Sequence, residues 1–268
     1  MKAKLASVLL VTALIAAIIP VAAAQAYQRG MCAVPTKNIG FTSCESGSDH
    51  PSFRVAMIGD SHTREWFEPV RILAAKYNWQ LTVVSKSACP PLDPTMMPTV
   101  LPSKSCIPWN EKLQTYIKKQ KPYDLVINSS SSFVTKGYKS FGKAFASVVA
   151  ELTARGTKVL VIRDNPKPLA SFDSCLAQNG LTHEASCARP RTDALTPDDP
   201  MVKAVAGMKH VKVADFTNSF CRPSVCYPVI QGIKVYRDHS HISKDWALHL
   251  LYRVDSAIPP EFKAGARG

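Results

Sequence analysis

Phe53-Arg54-Val55-Ala56-Met57-Ile58-Gly59-Asp60-Ser61-His62 is the stretch from which the fold is read. An apolar run of strand length stops at a glycine and is followed by an acid, a hydroxyl and an imidazole. Thr63 to Tyr77 then carries Trp66, Val70, Leu73 and Tyr77 at helical spacing, so the run reads as a buried strand feeding a helix. Ser61 falls on the turn between them. A hydroxyl there stands at the carboxyl edge of a sheet, beside the N–H groups and positive dipole end of a helix. A serine nucleophile needs that place, because fixed donors must meet the charge that develops on the attacked carbonyl oxygen.

Strand and helix signals alternate outward from this point. Leu81-Thr82-Val83-Val84, Asp124-Leu125-Val126-Ile127, Lys158-Val159-Leu160-Val161-Ile162 and Val211-Lys212-Val213 are further strands. Helices are predicted over Trp109 to Lys119, around Phe141, Phe145, Val148 and Leu152, and from about Ser243 to Val254, where Trp246, Leu250 and Val254 share a face. Gly156 ends the middle one. Such alternation predicts a parallel sheet covered by helices, here with five strands. Lys86 to Pro108, with six prolines, and Asn165 to Pro200 are irregular. The strand Asp124 to Ile127 ends in an unusual polar run, Asn128 to Ser132. There is no internal repeat.

The N-terminus has the form of a secretory signal peptide: Lys2 and Lys4, an apolar core from Leu5 to Ile19, and Ala24-Gln25-Ala26 as cleavage site. Residues 1–26 are expected to be removed, leaving 27–268 as one domain; retention of the segment as a membrane anchor is the rival reading. All eight cysteines lie beyond the cleavage site and fall into sequence-local couples. The expected bridges are Cys32–Cys44, Cys89–Cys106, Cys175–Cys187 and Cys221–Cys226, each closing an irregular loop. A zinc site is disfavoured, since there is no C-x-x-C and no Cys/His cluster with ligand spacing. The formal charge of +13 is spread along the chain with no run of five or more Lys and Arg. For an exported chain this argues against nucleic acid as the natural partner and for envelope polyanions, a membrane surface or simply a solvated surface.

A serine must hand its proton to a base, and the base works best when a carboxylate fixes its tautomer. Asp238-His239-Ser240-His241 supplies both. His241 is expected to be the base and Asp238, folding back from three residues earlier, its partner. His239 directly follows the acid and would point away. Asp238 could also cap the last helix. His62 is read as an ordinary surface residue, and His50, His183, His210 and His249 as structural.

Taken with these blocks, the sequence resembles the SGNH (GDSL-like) hydrolases, and more specifically the SGNH domains attached to membrane acyltransferase-3 proteins that O-acylate envelope glycans. The resemblance rests on Gly59-Asp60-Ser61-His62 and on Tyr236-Arg237-Asp238-His239-Ser240-His241-Ile242-Ser243, which are specific as a pair. Ser87-Ala88-Cys89-Pro90-Pro91-Leu92, the strand Asp124 to Ile127 and Arg163-Asp164-Asn165-Pro166 match more loosely. It implies a three-layer α/β/α sandwich of flavodoxin-like type, Ser61 as nucleophile, Asp238 and His241 as its partners, and no metal or cofactor. The chain departs from the broader family at the oxyanion site. Where a glycine and then a Gly-x-Asn-Asp are usual, it has Ser85-Lys86-Ser87-Ala88 and Asn128 to Ser132. The oxyanion donors are expected to be the Ser61 N–H with Ser87 or Asn128 and its neighbouring serines.

The function implied is acyl transfer at an ester through a seryl intermediate: an O-acyl esterase or O-acyltransferase, secreted or periplasmic, acting on an acylated envelope glycan or glycolipid. The multi-pass domain of the resembling proteins has no counterpart in these residues. The chain would therefore hydrolyse esters, or take its acyl group from a separate membrane donor protein. A metallophosphoesterase would share Asp60-Ser61-His62, but it also needs later Gly-Asp-x-x-Asp-Arg and Gly-Asn-His motifs, which are missing. A non-catalytic glycan-binding module on the same fold is the alternative from another class.

Overall fold

The computed structural model describes residues 43–47, 50–97, 105–132, 139–180 and 184–264. Five parallel strands form the sheet, as the alternation predicts: β2 (Phe53–Gly59), β3 (Trp79–Ser85), β4 (Leu125–Asn128), β5 (Lys158–Ile162) and β6 (Val211–Ala214). The sequence reading lacked a sixth, β1 (Ser43–Gly47), which pairs antiparallel along β3 at one edge. Its five residues have no apolar alternation, and only the open edge of β3 makes them a strand. The order is β1-β3-β2-β4-β5-β6.

Apolar residues on both pleats of β2 explain why both faces are covered. Val55 and Met57 point into one core, and Ala56 and Ile58 into the other. The first core is closed by α2 (Phe67–Lys76), through Val70 and Leu73, and by the terminal pair, where Trp246 and Val254 are fully buried. The second is closed by α3 (Cys106–Lys119) and α4 (Lys139–Ala154), through Leu113, Ile117, Phe145 and Val148. A shorter α6 (Pro200–Val205) packs on α4, after α5 (Phe172–Asn179) on the opposite face. The result is the expected three-layer α/β/α sandwich.

Two predicted helices are broken. The stretch after Ser61 splits into α1 (Ser61–Arg64) and α2, and the terminal helix into α7 (Lys244–His249) and α8 (Leu251–Ala257). Asp238 does not cap the latter; the Ser243 hydroxyl accepts from the Trp246 N–H instead. Three of the expected disulfides are present: Cys89–Cys106, Cys175–Cys187 and Cys221–Cys226. The Cys32–Cys44 pairing and the signal segment lie outside the described residues.

The topology itself marks a place for a site. From β2 the chain moves to β3 on one side, then crosses to β4 on the other, so the strand order switches at β2. Open α/β sheets bind ligands in the crevice beyond the strand carboxyl ends at such a switch. Ser61 lies two residues past the end of β2.

Candidate active site

Four segments converge beyond the strand ends: Asp60 to Arg64 after β2, Ser129 to Ser132 after β4, Asp164 to Lys167 after β5, and Arg237 to His241 before α7. Gly59 has to be glycine because a Cβ there would run into the Thr63 hydroxyl, the Asn128 amide and the Ser129 carbonyl. Asp60, fully buried, accepts from the His62 N–H at 2.8 Å and so starts α1 at Ser61. Its other oxygen accepts from the Ser131 N–H at 2.9 Å.

The long-range contact anticipated between the two ends of the chain is made. Ser61 Oγ lies 2.8 Å from His241 Nε2. His241 Nδ1 lies 2.9 Å from both Asp238 oxygens, and Asp238 Oδ1 also accepts from the Ser240 and His241 N–H groups at 2.9 Å. Asp238 is thus tied into a turn with the residues it orients. Burial pushes its pKa up, but those N–H groups and the imidazole outweigh this and hold it well below the usual carboxylate range. Burial lowers the pKa of His241, and repulsion from His62 lowers it further, against the pull of Asp238. A neutral His241 with Nδ1–H directed at the carboxylate leaves Nε2 free to accept from Ser61.

His62 corrects the sequence reading: it is 2 % exposed and central to the site, not a surface residue. Its Nδ1 donates to Asp164 Oδ1 at 2.6 Å, and its Nε2 lies 3.0 Å from Ser240 Oγ. Asp164 in turn accepts from the N–H and hydroxyl of Ser132, both at 2.8 Å, and Lys167 Nζ stands 3.7 Å away. Lys167 also donates to the Ser240 carbonyl and hydroxyl at 3.2 Å, as Asn165 does to the carbonyl at 3.1 Å. This buried assembly grips Ser240, one of the two residues between acid and base, and so holds the Asp238–His241 turn over Ser61. The rings of His62 and His241 are 4.9 Å apart. Only the position of His62 next to Ser61, and of Asp164 just past a buried strand, could have flagged them.

Burial alone would keep His62 neutral, yet Asp164 and Glu65, 3.6 Å away, raise its pKa to about 9. Burial pushes Glu65 up to about 8. Both groups bind protons more tightly folded than unfolded, where they titrate near ~6.5 and ~4.3. The His62 contribution is therefore full below ~6.5 and lost as pH rises through about 9, and Glu65 adds a loss of the same sign. Tm is expected to fall between pH 6.5 and 9 in calorimetry, with a flatter slope for His62→Gln. An equal slope in that variant would refute the assignment.

His62, Glu65 and His241 bring one possible ligand atom each within 4.8 Å of one another. Both His62 nitrogens and both His241 nitrogens are already engaged, and Lys167 Nζ stands 3.4 Å from His62 Nε2, so the donor set suits a proton network better than a cation.

The oxyanion expectations divide. Asn128 is 3 % exposed, and its amide donates to the Ile58 carbonyl at 2.7 Å and to Ser130 Oγ at 3.3 Å. Both protons are spent inside the protein, so Asn128 braces the polar run rather than facing a substrate. Ser87 is exposed on the turn after β3, where Lys86 N–H donates to the Gly59 carbonyl at 3.2 Å and Ala88 adopts a φ of 58°. Its hydroxyl accepts from Arg64 at 2.5 Å.

A parallel α/β/α sheet with a Ser–His–Asp chain beyond its strand ends is the architecture of a serine-hydrolase-like fold. Residues 31–255 match the model of the SGNH domain (fused to AT3 domains), and the chain belongs to that family. Among curated proteins no sequence matches it. Among solved structures it is similar to the periplasmic domain of the lipopolysaccharide acetyltransferase of Salmonella ser. Paratyphi A, with 15% identity and a TM-score of 0.57 over 78% of this chain and 84% of that one. A carbohydrate acetylesterase family member from Sinorhizobium meliloti aligns with 12% identity and a TM-score of 0.44, over 76% of this chain and 98% of that one.

Proposed function

We propose that this protein is a serine-dependent O-acyl esterase or O-acyltransferase acting on ester-linked acyl groups of cell-envelope carbohydrate. The observation that carries the reading is the 2.8 Å contact between Ser61 Oγ and a His241 whose other nitrogen is fixed by Asp238. Ser61 Oγ attacks the ester carbonyl while His241 Nε2 takes its proton, giving a tetrahedral oxyanion. That oxyanion lies at the start of α1, where the Ser61 N–H has no intrahelical acceptor, and the exposed turn carrying Ser87 is the second wall. The tetrahedral species collapses to a seryl ester as His241 returns the proton to the departing oxygen. Water or a sugar hydroxyl then gives its proton to His241, attacks the seryl ester and restores Ser61.

Family membership supports the reaction class, and the name of the Salmonella neighbour agrees with a carbohydrate acceptor outside the cytoplasm. Three disulfides fit an oxidising compartment. In this reading residues 27–268 are one catalytic domain, released after the signal segment, and a membrane acyl donor is a candidate partner.

A fluorophosphonate probe tests the proposal. Covalent labelling is expected at Ser61, located by peptide mass spectrometry, undiminished in EDTA and absent from Ser61→Ala. A folded protein that takes no label would be a glycan-binding module, and activity abolished by EDTA would point to metal chemistry; either outcome defeats the proposal.

A further inference from the structure

The charges around the mouth of the Ser61 site are unevenly answered. Arg64 sits at the end of α1, one turn beyond Ser61, and is half-buried. Among the described residues no carboxylate lies within ion-pairing distance of it, and its one side-chain hydrogen bond runs to the Ser87 hydroxyl. The nearby acid, Asp60, is buried and committed to two backbone N–H groups. Arg237 comes from the opposite side, adjacent to Asp238, and its backbone N–H donates to the His241 carbonyl at 2.9 Å. Its Nε reaches Asp238 Oδ2 at 3.2 Å, but that carboxylate already serves the His241 imidazole and two N–H groups. The terminal amino groups of Arg237 make no hydrogen bond among the described residues, and 64% of the side chain is exposed.

The two segments that supply nucleophile and base therefore each add a guanidinium. The pair share a field: burial lowers the pKa of Arg64, the attraction of Asp60 opposes this without touching the guanidinium, and repulsion from Arg237 adds to the lowering. Half-burying a guanidinium without a counter-ion is unfavourable, and its planar fork matches carboxylate and phosphate oxygens. A site built this way is completed by an anion.

We infer that Arg64 and Arg237 form an anion subsite beside Ser61, selecting carbohydrate esters that carry a carboxylate or phosphate near the scissile bond. The inference rests on the proposed esterase reading and sharpens its substrate class. The negative group could belong to the acyl chain, as in a dicarboxylic half-ester, or to the sugar, as in a uronate. The net positive charge of the chain would draw either toward the mouth.

Two substrate pairs separate these sources. One compares 4-nitrophenyl acetate with the 4-nitrophenyl half-ester of succinic acid, the other acetylated methyl glucoside with acetylated methyl glucuronoside. In at least one pair the ratio of anionic to neutral kcat/KM is expected to fall about tenfold in Arg64→Gln and in Arg237→Gln, and to fall in wild type at high salt. The exposed Arg237 supplies the variant whose folding is not in question. A binding arm uses Ser61→Ala protein and calorimetric titration with the two acetylated glycosides. If the sugar carries the charge, the glucuronoside is expected to bind about tenfold tighter, with the difference lost on adding Arg237→Gln, whether or not esters are turned over. If the acyl chain carries it, the two glycosides bind alike and the succinate pair alone shows the arginine dependence. Ratios unchanged by both substitutions in both pairs, with equal binding of the two glycosides, would overturn the subsite. Absence of Ser61-dependent turnover alongside selective binding would overturn the esterase reading alone.

Discussion

Ser61→Ala and His241→Ala are each expected to lower kcat on an activated acyl ester by about 10⁴-fold or more, with the double variant no slower than either single one. The argument lies in the geometry. Ser61 Oγ has one base within reach, His241 Nε2 at 2.8 Å, and a hydroxyl at its free pKa is a poor nucleophile. Removing the base leaves the hydroxyl unactivated, and removing the hydroxyl leaves the base with nothing to deprotonate. Either change abolishes the same step, so the losses do not add. Asp238→Asn is expected to cost less, because two backbone N–H groups still bind the remaining side-chain oxygen and hold the turn, while the preferred tautomer of His241 is lost. Single-turnover kinetics on all four variants settle the matter. A double variant slower than the singles by the product of their losses would mean that the two side chains act in separate steps, and the Ser–His reading would fall.

That contact was legible in the sequence because each of its ends is a local pattern. A strand that stops at Gly59-Asp60-Ser61 fixes where the hydroxyl stands, and Asp238 three residues before His241 can reach back to the imidazole. The parallel strands were legible for a similar reason: Val55 to Ile58 and Val159 to Ile162 are apolar on both pleats, and only a sheet covered twice can bury them. β1 carries no such pattern and is created by the open edge of β3. The His62–Asp164–Lys167 group was illegible because His62 lies 102 and 105 positions from its two partners, and the block holding Asp164 matched only loosely. A charged residue after a strand reads as loop until the fold buries it. The polar run Asn128 to Ser132 was noticed as a source of oxyanion donors, but the amide of Asn128 itself is committed inside the protein. Two of its members serve as internal scaffold, Asn128 bracing the end of β2 and Ser132 holding Asp164.

Asp164→Asn is expected to cost about 3–5 kcal/mol of stability, the largest loss from any single substitution near the site. Asp164 is the one deeply buried carboxylate in contact with both His62 and Lys167, at 2.6 and 3.7 Å. Burial opposes its charge, yet those two cations and Ser132 hold its pKa well below the ordinary range. Taking the carboxylate away leaves Lys167 buried without that partner and makes His62 give up its proton at lower pH, so the charge that makes burying these groups tolerable is lost. The sign with pH follows: a depressed carboxylate contributes above its unfolded pKa of ~3.9 and loses that contribution as pH falls through the folded value. The gap between wild type and variant is thus widest near pH 6 and closes toward strong acid. It also narrows above about 9, where His62 in the wild-type protein gives up its proton. Urea midpoints across that range give the curve, and a gap independent of pH would show that Asp164 acts by shape alone. Activity is expected to fall alongside stability, because His62 and Lys167 are what fasten Ser240, and Ser240 lies between the acid and the base. The His62 cation is thereby a structural member and, after burial, the second cause of the lowered His241 pKa, so a protein without Asp164 would have a looser base that feels less of a positive neighbour.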